Sequence, residues 1–394
     1  MKAVILAAGE GRRLRPFTET MPKVMLPVAN KPVLEYVIDA VKTSGINEIV
    51  LVVGYKKEVI MDYFKDYEDI NITYVIQEKQ LGTAHALLQT KDLMDGDFLV
   101  LSGDNIIDHR GIEKLLKEES KYSMLIKEHV HPSKYGVVVV EKNILKEIVE
   151  KPAEEGGKFI STGIFKFPDS IFEKVEEITS QGVYELTDVI QLVVDRGEKI
   201  RSIRSDFWMD IVYPWDLLIV NERMLHTTKT STSGVIENGV TMKGPISVGE
   251  NTKIYAGSYI SGPVVIGDGC EIGPNACIFP STTIGNNAVV HPFSEIRNSV
   301  IMNDVHIGSN SFVSHSVIGR GSVIGGNFSS IAGKATIEIE EEFNKLDNIG
   351  VMIAEDCVIG SNVVVEPGML IGRGCEISSL KRVMKNIASQ SNVM

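Results

Sequence analysis

The chain has no apolar run approaching the roughly 20 residues that cross a bilayer, so no membrane anchor is expected. The opening residues Lys2–Leu6 already read as a strand rather than a signal peptide. Cysteine is scarce: Cys270, Cys277, Cys357 and Cys375 form no C-x-x-C pair and have no histidine at zinc-ligand spacing, which argues against a thiol metal site. Positive charge is in deficit as well. Forty Lys and Arg face 52 Asp and Glu, a formal net charge of −12, which argues against nucleic acid as a partner. No Ser-His-Asp or Cys-His constellation stands out. These absences leave a cytoplasmic protein that handles small anionic metabolites.

What is present begins with a local reversal of charge. Positions 1–31 hold Lys2, Arg12, Arg13, Arg15, Lys23 and Lys31 against only Glu10 and Glu19. The first strand runs into Leu6-Ala7-Ala8-Gly9-Glu10-Gly11-Arg12-Arg13-Leu14-Arg15-Pro16, and Pro22-Lys23 follow. Glycines after a buried strand let a phosphate approach the backbone, and fixed cations neutralise it. Two familiar phosphate loops fit badly. A dinucleotide fingerprint needs a third glycine where Leu14 stands, and a Walker loop needs Gly-Lys-Ser/Thr, which is absent.

At 394 residues two domains are expected. Residues 1–225 alternate strand patterns at Lys2–Leu6, Glu48–Val53, Ile72–Gln77 and Phe98–Leu101 with amphipathic stretches around 33–42, 59–64 and 84–88. That is an α/β doubly wound, Rossmann-like layout, whose ligands sit at the C-terminal strand ends. Residues 226–235 read as a linker. From 236 to 380 the pattern changes: aliphatic residues recur every six positions, from Ile236 and Met242 through Ile296, and again from Ile353 to Ile377. A period of six suits a parallel β-helix, with one hexad to each flat side. The position four later must be small, and it holds Thr252, Ser258, Ala276, Cys270, Cys357 and Cys375, so those thiols read as structural. The hexads fail between Ala332 and Gly350, read as an excursion loop whose acidic stretch 338–342 is solvated. Residues 381–394 read as a C-terminal tail.

The loop Gly9, Gly11, Arg13, Leu14, Pro16, Pro22 and Lys23 resembles the signature G-x-G-x-R-L-x-P…P-K of sugar-1-phosphate nucleotidylyltransferases, and the resemblance extends over the first half of the chain. The hexads resemble the left-handed β-helices of the hexapeptide family, which commonly assemble as trimers, so a homotrimer or higher homo-oligomer through the β-helix is implied. The first resemblance implies that Leu6, Ala7, Ala8, Gly9 and Gly11 hold the nucleotide, with Ser102 and Gly103. Arg13 and Lys23 would be the catalytic cations on the triphosphate. Gln77, Gly82 and Thr83 would read the base, since a glutamine amide offers both a donor and an acceptor. His85 reads as a packed helix residue rather than a catalyst. Asp104 and Asp210 would hold Mg²⁺, although Val212 stands where the family often has glycine. Gly136, Glu150, Lys151, Ser161, Thr162 and Gly163 would hold the sugar phosphate, with Ser161 where the N-acetylglucosamine enzymes carry asparagine.

The implied reaction is attack of a sugar-1-phosphate oxygen on the α-phosphorus of UTP or dTTP, releasing pyrophosphate; the nucleophile is already anionic and needs no base. N-acetylglucosamine-1-phosphate and glucose-1-phosphate are the expected acceptors. Two other readings stay open. The combination of halves resembles bifunctional enzymes that also acetylate glucosamine-1-phosphate with acetyl-CoA, but their histidine position is Ser309 here, and their Gly-Ala-Gly-Thr segment is Gly325-Gly326-Asn327-Phe328. Non-catalytic regulatory subunits share the architecture but tend to lose the lysine and aspartates, whereas Lys23, Asp104 and Asp210 remain here.

Overall fold

The computed structural model describes residues 1–67, 70–152 and 157–394. The chain divides into two compact units. One comprises Met1–Glu10, Pro22–Met25 and Val33–Asp210, the other Gly11–Met21, Leu26–Pro32 and Ile211–Met394.

The first unit is built on a nine-stranded sheet. In chain order its strands are β1 (Lys2–Ala7), β2 (Glu48–Val53), β3 (Asn71–Ile76), β4 (Phe98–Ser102), β5 (Tyr122–Glu128), β6 (Gly136–Glu141), β7 (Ile144–Glu150), β8 (Phe159–Phe167) and β9 (Ile200–Arg204). Their spatial order is β3-β2-β1-β4-β8-β5-β9-β7-β6. In β2 every residue after Glu48 is buried, as expected where both faces of a parallel sheet are covered. The helix Val33–Thr43 buries Val33, Leu34, Val37, Ile38 and Val41, a stripe at helical spacing.

β1 to β4 are mutually parallel, with Leu6 beside Ser102, Ala7 beside Val53, and Val53 beside Ile76. Four carboxyl ends therefore open along one edge, where the segments starting at Ala8, Gly54, Gln77 and Gly103 leave the sheet. Beyond β4 the sheet is mixed: β8 runs antiparallel to both β4 and β5, so its residues Ser161–Gly163 arrive beside the end of β4. A short ladder outside the sheet pairs Trp208–Asp210 with Asn105–Ile107, and Asp210 faces Asn105.

In the second unit, strands of two or three residues stack in three parallel sheets of eight, nine and eight strands. One stack runs Ile254, Ile272, Val290, Ile307, Ile324, Ile359, Ile377 and Val393 in register. Their steps give a coil of 18 residues, shortened to 17 between Val290 and Ile307 and again to Ile324, lengthened to 35 between Ile324 and Ile359 by the hairpin, and shortened to 16 between Ile377 and Val393. This is the left-handed parallel β-helix of hexapeptide repeats. The stacks continue through Arg382–Val383 and Asn392–Val393, into the stretch read as a tail.

Most of the expected small slots hold small residues, but the one four after Ile324 holds Phe328, fully buried in the prism. Cys270, Cys357 and Cys375 are fully buried, and their thiols donate to the carbonyls of Gly285, Gly372 and Ala388 at 3.0, 3.1 and 3.1 Å. The excursion is a hairpin rather than a loop: Gly333–Ile339 pairs with Glu342–Ile349. Among the described residues no helix is long and apolar enough to cross a membrane.

Candidate active site

The edge formed by β1 and β4 carries the glycines for two different reasons. A Cβ at Gly9 would meet no atom within 4 Å, so the protein itself leaves that space open. Gly103 is held close to β1, its N–H donating to Leu6 O at 2.8 Å, and a Cβ there would lie 3.1 Å from the same oxygen. Ala8 O accepts from Tyr55 N–H at 3.1 Å. These bonds commit the Leu6 and Ala8 carbonyls to holding the segment Leu6–Gly9 in shape.

Lys23 begins a single 3-10 turn, Lys23–Met25, closed by Met25 N–H donating to Pro22 O at 2.9 Å. Its ammonium lies 2.6 Å from Asp104 Oδ2, with both side chains partly shielded. Asp104 follows β4 after Gly103, and Asp210 lies across the short ladder, in register with Asn105. The two expected metal ligands, 106 positions apart in the chain, are thus brought to one end of this ladder, Asp210 facing Asn105 and Asp104 immediately preceding it. Tyr135 OH donates to Asp210 Oδ1 at 3.0 Å, and its ring meets Trp208 edge-on at 5.6 Å. At Val212, which stands where the family often has glycine, Asp216 accepts from Val212 N–H and Tyr213 N–H at 2.9 and 2.8 Å.

Among the described residues no group of three or more His, Cys, Asp or Glu could hold a metal. Two carboxylates are nevertheless the donor set suited to a hard cation that keeps waters and binds through substrate phosphates.

Opposite these, Glu150 pairs with Gly136 across the β6–β7 hairpin. A Cβ at Gly136 would lie 3.3 Å from Glu150 Oε2 and 3.6 Å from Ser161 Cβ, so Gly136, Glu150 and Ser161 form one cluster. Lys151 Nζ is 3.4 Å from Glu150 Oε1. Gly163, with φ of 73°, is required where it stands: a Cβ there would fall 2.6 Å from Ser102 Oγ.

Other expected residues serve elsewhere. Thr162 is buried, its hydroxyl donating to Leu125 O at 2.9 Å, while its carbonyl accepts from Asn105 Nδ2 and Trp208 Nε1 at 2.7 and 3.1 Å. It fastens the aspartate ladder to β8. The Thr83 hydroxyl donates to Glu185 and accepts Leu186 N–H at 2.9 and 2.8 Å, tying two helices together. Gln77 is turned inward and is only 3% exposed. Its Nε2 donates to Gly82 O at 3.1 Å and lies 2.9 Å from His85 Nδ1. The Gly82 acceptor fixes that amide orientation, and His85 then accepts with its proton on Nε2. His85 is a packed residue that orients Gln77, with Tyr184 edge-on to it at 6.0 Å.

Gly11 and Arg13 belong to the second unit. Gly11 has φ of 67°, its carbonyl accepting from Thr18 Oγ1 at 2.8 Å. Sequence reasoning missed Asn105 as the brace beneath the aspartates, although it directly follows Asp104, and it missed Tyr135 as the partner of Asp210.

A parallel sheet with glycines, a lysine and two aspartates at its carboxyl edge defines a nucleotide-handling α/β enzyme. Comparison with known proteins agrees. The nucleotidyl transferase profile matches residues 2–227, that of the GMPPB C-terminal domain residues 260–343, and a hexapeptide repeat of succinyl-transferase residues 350–379. The bifunctional protein GlmU of Methanocaldococcus jannaschii is 36% identical across all of this chain and 97% of its own. A bifunctional sugar-1-phosphate nucleotidylyltransferase/acetyltransferase of Sulfurisphaera tokodaii is 33% identical across 94% of both chains. The UTP–glucose-1-phosphate uridylyltransferase AglF of Haloferax volcanii is 38% identical over 59% of this chain and all of its own. Among solved structures, a putative glucose-1-phosphate thymidylyltransferase from Bacillus anthracis superposes with a TM-score of 0.53 at 26% identity, covering 56% of this chain and 94% of that one. The chain belongs to the nucleotidyl transferase family, as an enzyme of its sugar-1-phosphate class.

Proposed function

We propose that this enzyme transfers the nucleotidyl group of UTP, or of dTTP, to glucose-1-phosphate or N-acetylglucosamine-1-phosphate and releases pyrophosphate. The observation that supports the reading is the Lys23–Asp104 pair beyond the end of β4, with Asp210 across the ladder from Asn105 and Gly9 beyond the end of the neighbouring strand β1. Mg²⁺ at Asp104 and Asp210 would neutralise triphosphate charge. Lys23, a compact cation on a flexible stem, exchanges its carboxylate for an α-phosphate oxygen as bonding there changes. Arg13 is the further cation that the signature assigns to the triphosphate. Glu150 and Lys151 suit sugar hydroxyls and the sugar phosphate respectively. No base is required, because the attacking phosphate oxygen is ionised near neutral pH.

The test is pyrophosphate release with Mg²⁺, the common nucleoside triphosphates and a panel of sugar-1-phosphates. Turnover with UTP or dTTP and one of the two named sugars is expected; release with neither triphosphate would overturn the reading.

A second reading adds acetyl transfer from acetyl-CoA to glucosamine-1-phosphate on the β-helix. The relatives named bifunctional match 94% or more of this chain, which favours it, whereas Ser309 in place of the family histidine opposes it. Release of CoA in the presence of glucosamine-1-phosphate separates the two. Assembly as a trimer through the β-helix is part of the proposal, and light scattering on the full chain measures it.

A further inference from the structure

Arg13 does not stand alone within the second unit. Its Nε lies 2.9 Å from Glu340 Oε2 and its Nη2 lies 3.6 Å from Glu342 Oε1, both at the tip of the β-helix hairpin. Tyr213 OH donates to Glu342, and the Tyr213 ring stacks on Trp215 at 4.8 Å. The segment carrying Arg13 is fastened to the same unit further along: Thr20 Oγ1 donates to Glu355 at 2.5 Å, and Ser389 Oγ donates to Glu19 at 2.9 Å. The acidic stretch expected to be merely solvated therefore grips the arginine of the nucleotide signature.

The tip breaks two local rules to do so. Glu340 and Glu341 are the central residues of a two-residue turn, with φ of 50° and 66°. Such turns select Asn-Gly or Gly-Gly, because a Cβ is strained there. Glu338, Glu340, Glu341 and Glu342 also crowd four like charges into five positions. Stability does not explain the choice. Glu340 and Glu342 are nearly half exposed, and ion pairs so exposed contribute little to folding. Local rules broken without a stability gain point to function.

We infer that Glu340 and Glu342 are positioning residues for nucleotidyl transfer: they hold the Arg13 guanidinium by its Nε–Nη2 edge and so fix the cation that the signature assigns to the triphosphate. This rests on the nucleotidyl-transfer reading above. Tyr213 completes the device. Burial first, and then its bond to Glu342, push its pKa up to about 12, so it remains a donor that fixes the carboxylate.

The experiment measures steady-state kinetics of the full-length chain with the triphosphate it prefers. Glu340→Ala with Glu342→Ala raises KM for the triphosphate about tenfold and leaves KM for the sugar-1-phosphate within about twofold. Glu340→Gln with Glu342→Gln recovers most of that loss, since the amide oxygen still accepts from Arg13. Arg13→Ala added to the alanine pair brings no further loss, as coupled residues require. Thermal melts of each variant accompany the kinetics, and the glutamine pair carries the test if the alanine pair unfolds. An unchanged KM, or additive losses, overturns the inference. A lowered KM overturns it too and marks the glutamates as competitors of the triphosphate. A wild-type chain that turns over no triphosphate fails the parent reading, whereas an active wild type with unaffected variants fails this inference alone.

Discussion

Asp104 and Ile272 show how differently the two units use their residues. Asp104 sits two residues beyond the end of β4, where a buried strand hands over to a turn, and touches Lys23. Ile272 is one step in a ladder, with Ile254 before it and Val290 after it, wholly buried. The sheet builds a rigid platform from interchangeable aliphatic residues and concentrates its chemistry in a few polar ones at one edge. The prism has no such edge and spreads its requirement evenly, one aliphatic and one small residue per hexad. A single substitution should therefore remove chemistry from the first unit with little loss of fold, and remove stability from the second with little loss of chemistry.

The largest effect that would break this contrast lies at the lysine–aspartate pair. Lys23→Ala and Asp104→Ala should each lower kcat by about a thousandfold or more, because preorganised charge is the main catalytic device of phosphoryl transfer. Pyrophosphate release gives the rate, and circular dichroism should show the fold intact. Lost secondary structure would mean that the pair holds the platform together.

The converse is Ile272→Ala. Removing a fully buried side chain from a packed interior costs about 2–5 kcal/mol, and in a stack of coils the loss stays local. Urea denaturation followed by tryptophan-independent far-UV signal should show a destabilised prism, while pyrophosphate release at low temperature stays within about twofold. A large loss of activity would show that the prism takes part in the chemistry beyond holding Arg13.

Gln77 tests the boundary between the two kinds of position, being buried like a core residue and expected to read a base. Gln77→Leu leaves His85 Nδ1 without its donor and Gly82 O with only that of Ala86 N–H, and an unsatisfied buried polar group costs about 1–3 kcal/mol. A modest fall in Tm is expected, together with weaker discrimination between UTP and CTP. A fall in Tm with unchanged discrimination would make Gln77 a brace for the Gln80–Thr83 segment and no reader.

The sequence exposes each kind of position to a different degree. Strands such as Glu48–Val53, seen at the expected limits, are legible because a short unbroken aliphatic run rich in β-branched residues has few alternatives. The hexads are legible because repetition multiplies a weak signal. The reversal of β8 is not, since strand direction is fixed by pairing with distant partners. Within the site, Lys23, Asp104 and Asp210 could be named from the signature they resemble, but the inward turn of Gln77 and Thr162 depends on acceptors supplied by Gly82 and Leu125. The grip of Glu340 on Arg13 spans 327 positions, and no local pattern encodes it beyond the odd choice of glutamates in a turn that prefers glycine.

The smallest expected effect comes from a histidine in the prism. His315 lies with Nδ1 2.8 Å from Ser314 Oγ and Nε2 2.8 Å from Asn348 Nδ2. If Asn348 donates to Nε2, the ring is neutral and passes its own proton to Ser314; a second proton would set donor against donor. Burial pushes the His315 pKa below its ordinary 6.5, and the charge of Glu222 offsets this only in part. The sign follows from linkage. Between the lowered folded value and 6.5 the unfolded chain binds the proton more readily, so stability falls as pH drops through that window and is fully present above it. The melt of the second unit should therefore shift down by about a degree or two between pH 7 and pH 5.5, and His315→Gln should remove that part of the shift while leaving the remainder, which belongs to carboxylates. An unchanged pH profile in the variant would mean that Asn348 turns its amide to accept the imidazolium, which makes this position as tolerant of charge as the exposed faces of the prism.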